Sequence, residues 1–316
     1  MKTILLFGGS GSLGHKIIDK YIDTYNLVIY SRDENKHWQM RQLYKQYTNI
    51  KWVLGCIRDK ENVELAIFKY KPNTIIIASA LKHIDQCENN IDECIKTNIT
   101  GVQNIINITY KYALCDQIPF LEKVLFVSTD KASSPVNAYG MCKSLSERMV
   151  IEKSNHVNSP KYIVVRYGNV LNSRGSLLPF FRNVAESKRP YFPVTDPKMT
   201  RFFMTLDDSV ALIDTALNNA DSGDTYIPRV PSYRIMDIAE LFSKKYGKPI
   251  KIVGIRPGEK LREVLINITE THRTIINGEY YVIKPCYDNV TTPNVSFSEY
   301  TSETDVSNTV SLEKYI

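Results

Sequence analysis

Short runs of β-branched and aliphatic residues recur through the first half of the chain, at 4–7, 27–30, 74–78, 123–128 and 162–166. Between them, stretches 14–21, 61–70, 92–111 and 138–152 repeat their apolar positions at helical spacing with few breakers. A strand that is apolar at every position, not every second one, is buried on both faces, so crossover helices must cover both sides of a parallel sheet. The pattern predicts an α/β fold with a doubly wound parallel sheet over residues 1–168. From 169 the pattern changes to short segments punctuated by Pro179, Pro190, Pro193 and Pro197, with helices expected at 206–218 and 235–246. Residues 169–316 are read as a smaller C-terminal α/β substrate lobe, with part of 205–230 packing back on the first domain. The polar tail from Tyr287 onward is expected to be the least ordered segment.

Directly after the first apolar run stands Gly8-Gly9-Ser10-Gly11-Ser12-Leu13-Gly14, a G-x-G-x-x-G pattern between a predicted strand and a predicted helix. Glycines permit the tight turn and the close approach of backbone to a pyrophosphate, and the following helix offers unpaired N–H groups at its positive end. This makes the sheet Rossmann-type, with Gly8, Ser10, Gly11, Ser12, Leu13 and Gly14 as cofactor contacts. Where an NAD enzyme usually carries an acidic residue for the ribose hydroxyls, the second strand is followed by Ser31 and Arg32. A guanidinium suits a ribose phosphate that a carboxylate would repel, so NADP is favoured, while Asp33 keeps NAD open.

The strand at 123–128 leads into Thr129-Asp130-Lys131, and Tyr139 and Lys143 lie one helical turn apart just beyond. That spacing puts phenol and ammonium on one helix face, where the cation and an oxidised nicotinamide are expected to lower the phenol pKa. The bland alternatives are a surface Tyr beside a solvated Lys and, for Asp130-Lys131, an exposed ion pair of little worth.

With these residues in view, the chain resembles the extended short-chain dehydrogenase/reductases and, more narrowly, the inverting UDP-N-acetylglucosamine 4,6-dehydratases, which also epimerise C5. The shared segments are GGSGSLG at 8–14, YSRDE at 30–34, ALKH at 80–83, KTNITG at 96–101 and STDKASSPVNAYGMCK at 128–143. Further on come RYGNVLNSRGSLLPFF at 166–181, VTDPKMTRFFMTL at 194–206 and RPGEKLREVLI at 256–266. The resemblance implies that Tyr139 takes the C4 hydroxyl proton as C4 is oxidised by NADP, that Lys131 removes H5, and that Asp130 protonates the departing C6 hydroxyl. Hydride then returns to C6 and C5 is reprotonated from the opposite face, giving a 4-keto-6-deoxy L-sugar. A base must be uncharged, so Lys131 is expected to have its pKa lowered by burial or by cations such as Lys143. The dTDP-glucose dehydratases carry Asp-Glu where this chain has Asp130-Lys131.

The same resemblance implies a hydroxyl contact to the sugar from Thr129, with a helix cap as its alternative. Asn169 and Arg256 are implied as diphosphate contacts and Glu259 as a ribose or uridine contact, with a structural Arg256–Glu259 pair as the alternative. Lys82, Asn98 and Arg201 are expected near cofactor or sugar, and Ala78 and Ala80 beside the cofactor. Cys56 stands where relatives usually have an Asp for the adenine amino group, so Ile57 is expected to keep the apolar contact with adenine. Phe7 and Arg262 are further departures, from Thr and His. A homo-oligomer packed through 92–111 and 138–152 is expected by family analogy. The rival readings are a retaining dehydratase or UDP-hexose 4-epimerase, against which Asp130-Lys131 argues, and a non-catalytic NADP sensor.

Composition changes little in this picture. The 316 residues are 43% hydrophobic and 23% charged, an ordinary globular balance. The net charge of +6 comes from Lys and Arg scattered among acidic residues, which favours an anionic small substrate over nucleic acid. Six cysteines form no C-x-x-C pair, no metal site is expected, and no stretch suits a signal or membrane span, so a cytoplasmic compartment is expected.

Overall fold

The computed structural model describes residues 1–156, 159–288, 295–307 and 309–315. Strands β1 (Thr3–Phe7), β2 (Asn26–Ser31), β3 (Ile50–Leu54), β4 (Thr74–Ile77), β5 (Lys123–Val127) and β6 (Lys161–Val165) run parallel in the order β6-β5-β4-β1-β2-β3. The order reverses between β1 and β4, which opens a crevice at the carboxyl ends of those strands. Alternate residues of β1 feed opposite faces of the sheet. Ile4 and Leu6 pack with Ile17 and Ile18 of the helix Ser12–Tyr21 and with Leu212 and Ile213 of the helix Leu206–Asn219. Leu5 and Phe7 pack with Val63 and Ile67 of the helix Lys60–Tyr70 and with Val102 and Ile105 of the helix Gly101–Leu114. Each such side chain, fully buried, contributes about 1.5–3 kcal/mol by leaving water, which holds the crevice rigid between two packed layers.

Several elements are absent from the sequence expectation, among them a strand and a helix of the first half. The edge strand β3 has the burial of a one-sided strand, with Lys51 exposed, so it lacks the continuous apolar run that marks its neighbours. The helix Glu34–Leu43 buries only His37 and Met40. The stretch predicted as one helix at 92–111 is continuous but contains a π-turn, Lys96–Thr100, between the helices Ile91–Ile95 and Gly101–Leu114.

Residues beyond 168 contribute three more strands to the main sheet. Thr225–Pro228 pairs parallel with β6, and the hairpin Thr274–Asn277/Tyr280–Ile283 adds two antiparallel strands outside it. A separate core gathers Phe181, Phe192 and Phe242, whose rings meet at 5.3–5.7 Å between centroids. The tail differs from expectation in part. Tyr300–Thr301 pairs with Val264–Ile266, and Tyr300 and Leu312 are buried because each completes an apolar cluster. Tail residues 289–294, 308 and 316 lie outside the described residues. Among the described residues, no helix is long and apolar enough to cross a membrane, and no group of three or more His, Cys, Asp or Glu is placed to hold a metal ion.

Candidate active site

A cavity of about 910 Å³ fills the crevice, walled at one end by the glycine loop and at the other by residues 128–143, 167–177 and 256–259. Gly8 sits at φ +87°, and a Cβ there would lie 2.6 Å from the Ser79 backbone nitrogen. Gly14 is not in the cavity wall: it lets the helix Ser12–Tyr21 press against Gly9, where any side chain would collide with the loop carbonyl. That helix begins after Gly11 with no side-chain cap, so its first N–H groups face the cavity free of internal partners. Ser10, Gly11, Ser12 and Leu13 all line the wall. The bare loop, the uncapped helix end and a buried Ser128 Oγ without a hydrogen-bond partner together fit a dinucleotide. Replacing Gly8 with Ala is expected to weaken dinucleotide binding on the order of tenfold or more, since both the positive φ and the approach to Ser79 forbid a methyl group. Fluorescence titration of the reduced dinucleotide reads this; an unchanged Kd would remove Gly8 from the cofactor site.

At the adenosine end, Ser31 is buried with its hydroxyl against His37, while Arg32 is exposed on the cavity rim. Asp33 caps the helix Glu34–Leu43 by accepting from the Lys36 backbone nitrogen at 3.0 Å, and its other oxygen pairs with Lys36 Nζ at 2.8 Å. Cys56 and Ile57 line the wall, and Cys56 Sγ accepts from Arg58 Nε at 3.0 Å. Ala78, Ala80 and Lys82 also line it. Lys82 Nζ donates to the Arg174 carbonyl at 2.7 Å, and burial pulls its pKa down. Asn98, expected as a cofactor contact, is absent from the wall. Its amide is used on the Leu81 backbone, accepting from N at 2.8 Å and donating to O at 2.8 Å, so it shapes the loop after β4.

The opposite end is lined by Thr129, Lys131, Tyr139 and Lys143. Thr129 begins the 3-10 turn Asp130–Ala132: its hydroxyl accepts from the Lys131 backbone nitrogen at 3.4 Å and donates to Asp130 Oδ1 at 2.9 Å. It therefore caps the turn while also lining the cavity. Asp130, expected as a catalytic acid, is fully buried and stands behind the cavity wall, not in it; it receives Lys131 Nζ on Oδ1 at 3.0 Å and leaves Oδ2 without a hydrogen-bond partner. Burial pushes its carboxyl above the ordinary value, Lys131 opposes that, and Glu263 reinforces it.

The Lys131 pKa shift runs against expectation, and the protein groups around Tyr139 shift its phenol upward. Burial alone would pull the Lys131 ammonium down, but Asp130 and Glu263, whose Oε1 stands 3.3 Å from Nζ, outweigh it and hold Lys131 above the usual lysine value. The Tyr139 phenol is likewise pushed up, by burial first and then by the Asp130 charge, with a hydrogen bond to Thr129 opposing. Lys143 is the group that burial brings down, to about 7. Its Nζ donates to the Val127 carbonyl at 2.5 Å and lies 3.8 Å over the Phe126 ring.

On the substrate side, Asn169 Oδ1 lies 3.5 Å from Lys131 Nζ. Arg256 and Glu259 both line the cavity and pair with each other across the turn, as the structural alternative held. Arg201 lines the wall, but its guanidinium donates to the carbonyls of Thr200, Lys260 and Leu261 at 2.7–3.1 Å, which anchors the 256–262 segment. Sequence reasoning missed Ser128 and Glu263. Both stand inside quoted motifs, and the signal for each was a polar residue beside a buried apolar strand.

The family described as "Polysaccharide biosynthesis protein" matches residues 4–285. The UDP-N-acetylglucosamine 4,6-dehydratase (inverting) of Campylobacter jejuni subsp. jejuni serotype O:23/36 (strain 81-176) is 35% identical over 289 residues, 90% of this chain and 83% of that one. The chain belongs to this family. The UDP-glucose 4-epimerase of Rickettsia canadensis (strain McKiel) is 33% identical over 89% of this chain and 82% of its own. Among solved structures, Pen from Bacillus thuringiensis superposes with a TM-score of 0.89 at 28% identity, covering 99% of this chain and 96% of that one. The dTDP-glucose 4,6-dehydratase of Bacillus anthracis str. Ames, solved in complex with NAD, shares the fold at TM-score 0.67 and 19% identity, over 82% and 86% of the two chains. These relatives bear out the extended short-chain dehydrogenase/reductase fold and the resemblance to inverting dehydratases read from the motifs. The curated relatives at this level of identity are named as nucleotide-sugar dehydratases and epimerases.

Proposed function

We propose that this chain removes water across C5 and C6 of UDP-N-acetylglucosamine with inversion at C5, using NADP regenerated in each turnover. The observation that carries the reading is the buried Asp130-Lys131 pair beside Tyr139 and Lys143. A 4-epimerase needs one proton-handling group, at the C4 oxygen; dehydration needs a second set for H5 and the C6 hydroxyl. Epimerases are nearly as similar as the inverting dehydratase, so the pair, not the percentage, favours dehydration. NADP is supported by Arg32 on the rim and by the engagement of Asp33 with Lys36, which leaves the guanidinium as the group free to meet a ribose phosphate.

When bound, the nicotinamide supplies a hydride acceptor for C4 and a hydride donor for C6. Tyr139 takes the C4 hydroxyl proton, and the ketone acidifies H5. Lys131 takes H5 from its neutral form, so the rate should rise with pH as Lys131 gives up its proton. Asp130, whose carboxyl burial pushes above its ordinary value, donates a proton to the C6 hydroxyl, which leaves as water. A proton delivered to C5 from the opposite face gives the L-configured 4-keto-6-deoxy sugar. Asn169, Arg256 and Glu259 are the proposed diphosphate and uridine contacts. Exposed Ile91, Ile95, Met141 and Leu145 on neighbouring helices support a homo-oligomer packed through that face.

Incubation with UDP-N-acetylglucosamine in deuterated water, followed by NMR, tests the reading. The expected product carries a 6-deoxy methyl group and deuterium at C5 with ring couplings of the inverted sugar, and the nucleotide released on denaturation is NADP. Unchanged sugar, or a C4 epimer alone, would sink it.

A further inference from the structure

Glu263 is 2% exposed and belongs to none of the roles derived so far. It stands just before the strand Val264–Ile266, and its Oε1 lies 3.3 Å from Lys131 Nζ. Lys260 Nζ is 3.4 Å from Oε2, and Arg201 Nε is 3.6 Å from Oε1. Its backbone nitrogen is tied to Ser302 Oγ at 3.0 Å, so the carboxylate is anchored from the main chain outward. Oε2 makes no hydrogen bond, although it is buried. A carboxylate this deep is costly unless paired, and three cations surround it.

We propose that Glu263 is a positioning residue for dehydration: it carries the negative charge that pairs Lys131, so that the neighbouring Asp130 is left to hold a proton. The inference rests on the dehydratase reading of Asp130 and Lys131 given above. Two carboxylates share one ammonium, at 3.0 Å for Asp130 and 3.3 Å for Glu263. Only Glu263 also has Lys260 and Arg201 beside it. The negative charge therefore settles on Glu263 and the proton on Asp130, whose free Oδ2 is the oxygen able to carry it. The groups facing this cluster are Asp130 on the same turn as Lys131, Asn169 from the strand Asn169–Val170, and Arg201 from the strand Thr200–Met204. Lys260 approaches Glu263 from the preceding turn, and Tyr139, on the helix Ala138–Glu152, is the titratable neighbour of Asp130.

The decisive variant is Glu263→Gln. Without the Glu263 charge, Lys131 gives up its proton more readily, and Asp130, now the sole carboxylate for Lys131, loses its own more readily as well. Both limbs of the pH–kcat profile are expected to move to lower pH by about one unit. kcat at the optimum should fall on the order of tenfold, with KM changed less than about threefold. NMR titration of 15N-labelled lysine side chains, with Lys131 assigned by the signal lost in Lys131→Met, should show Lys131 deprotonating at lower pH in Glu263→Gln; this readout needs no substrate. If Glu263→Gln does not fold, Glu263→Asp keeps the charge but draws it back from Lys131. It should retain an optimum closer to the parent's while kcat stays several-fold low. An unmoved profile and Lys131 titration in Glu263→Gln, or a Glu263→Asp variant with parental kcat, overturns the proposal. Failure of the parent protein to dehydrate the sugar strikes the functional reading instead, since the Lys131 titration still reports on Glu263.

Discussion

Asp130→Asn cuts formation of the 6-deoxy product by about 10²- to 10⁴-fold, the range expected for loss of a positioned acid, while deuterium still enters C5. Asparagine has the size and can keep a contact with Lys131, but it has no carboxyl proton to give the C6 oxygen. Oxidation at C4 belongs to Tyr139, and removal of H5 belongs to Lys131, which keeps Glu263 as its partner at 3.3 Å. C5 exchange therefore persists without water loss. Tyr139→Phe removes the first proton acceptor and abolishes exchange and product together. Following C5 deuterium and the methyl signal in the two variants separates the halves of the reaction. Should Asp130→Asn form product at near-parental rate, Asp130 is not the acid. Should it lose exchange as completely as Tyr139→Phe, its role lies earlier, at C4.

The second large effect is on stability. Arg166, at the end of β6, is buried with Glu147 of the helix Ala138–Glu152 and Glu270 of the helix Ile268–Thr271. Its guanidinium donates to the Glu147 oxygens at 3.0 and 2.6 Å, to those of Glu270 at 2.8 and 2.9 Å, and to the Leu265 carbonyl at 2.8 Å. Arg166→Met leaves two carboxylates buried without their cation, which costs about 3–5 kcal/mol and lowers Tm on the order of 10 °C. Adding Glu147→Gln and Glu270→Gln should restore much of that loss, because the penalty is the uncompensated charge. The pH dependence has a definite sign. Burial would raise the Glu270 carboxyl, but Arg166 and its hydrogen bonds hold it below the ordinary value. Its stabilising contribution is thus present above the unfolded pKa and lost as pH falls through the lower folded value. In Arg166→Met that depression is gone, so the gap from the parent narrows on acidification as Glu270 takes up a proton. Calorimetric scans of the variants across pH read this. A Tm loss of only a degree or two at neutral pH would show that water reaches the cluster and screens it.

That cluster touches the helix Ala138–Glu152 at Glu147, one helical turn beyond Lys143. Catalysis and stability thus share one element: Tyr139 and Lys143 face the cavity from its first turns, and Glu147 fastens its middle to β6.

Much of the fold was legible because its physical causes are local. The strands β1, β2, β4, β5 and β6 lie in the interior of the sheet, so their central positions are apolar on both faces and the run stands out. The glycine loop was legible because Gly8 and Gly14 answer steric demands made by neighbours a few residues away or on the adjoining strand. Thr129, Asp130, Lys131, Tyr139 and Lys143 fall within 15 residues, on one turn and the helix that follows it, so their spacing carried the chemistry.

What the sequence by itself determined is therefore the doubly wound sheet, the glycine loop that opens it and the family, along with the residues proposed here to handle protons. Only the tertiary structure decided their charge. The Lys131 pKa is raised and not lowered because Asp130 and Glu263, the latter more than 130 residues away but 3.3 Å from Nζ, outweigh the effect of burial. Tyr139 is pushed up, and Lys143 pulled down to about 7, by burial that no spacing reveals. The edge strand β3 and the outer hairpin strand Thr274–Asn277 escaped for a related reason: each is only partly buried and lacks a continuous apolar run, and what covers it is chosen by contacts distant along the chain. Local pattern fixes where a side chain can point, whereas its ionisation depends on the summed field and desolvation of everything packed around it, and that sum exists only once the chain has folded.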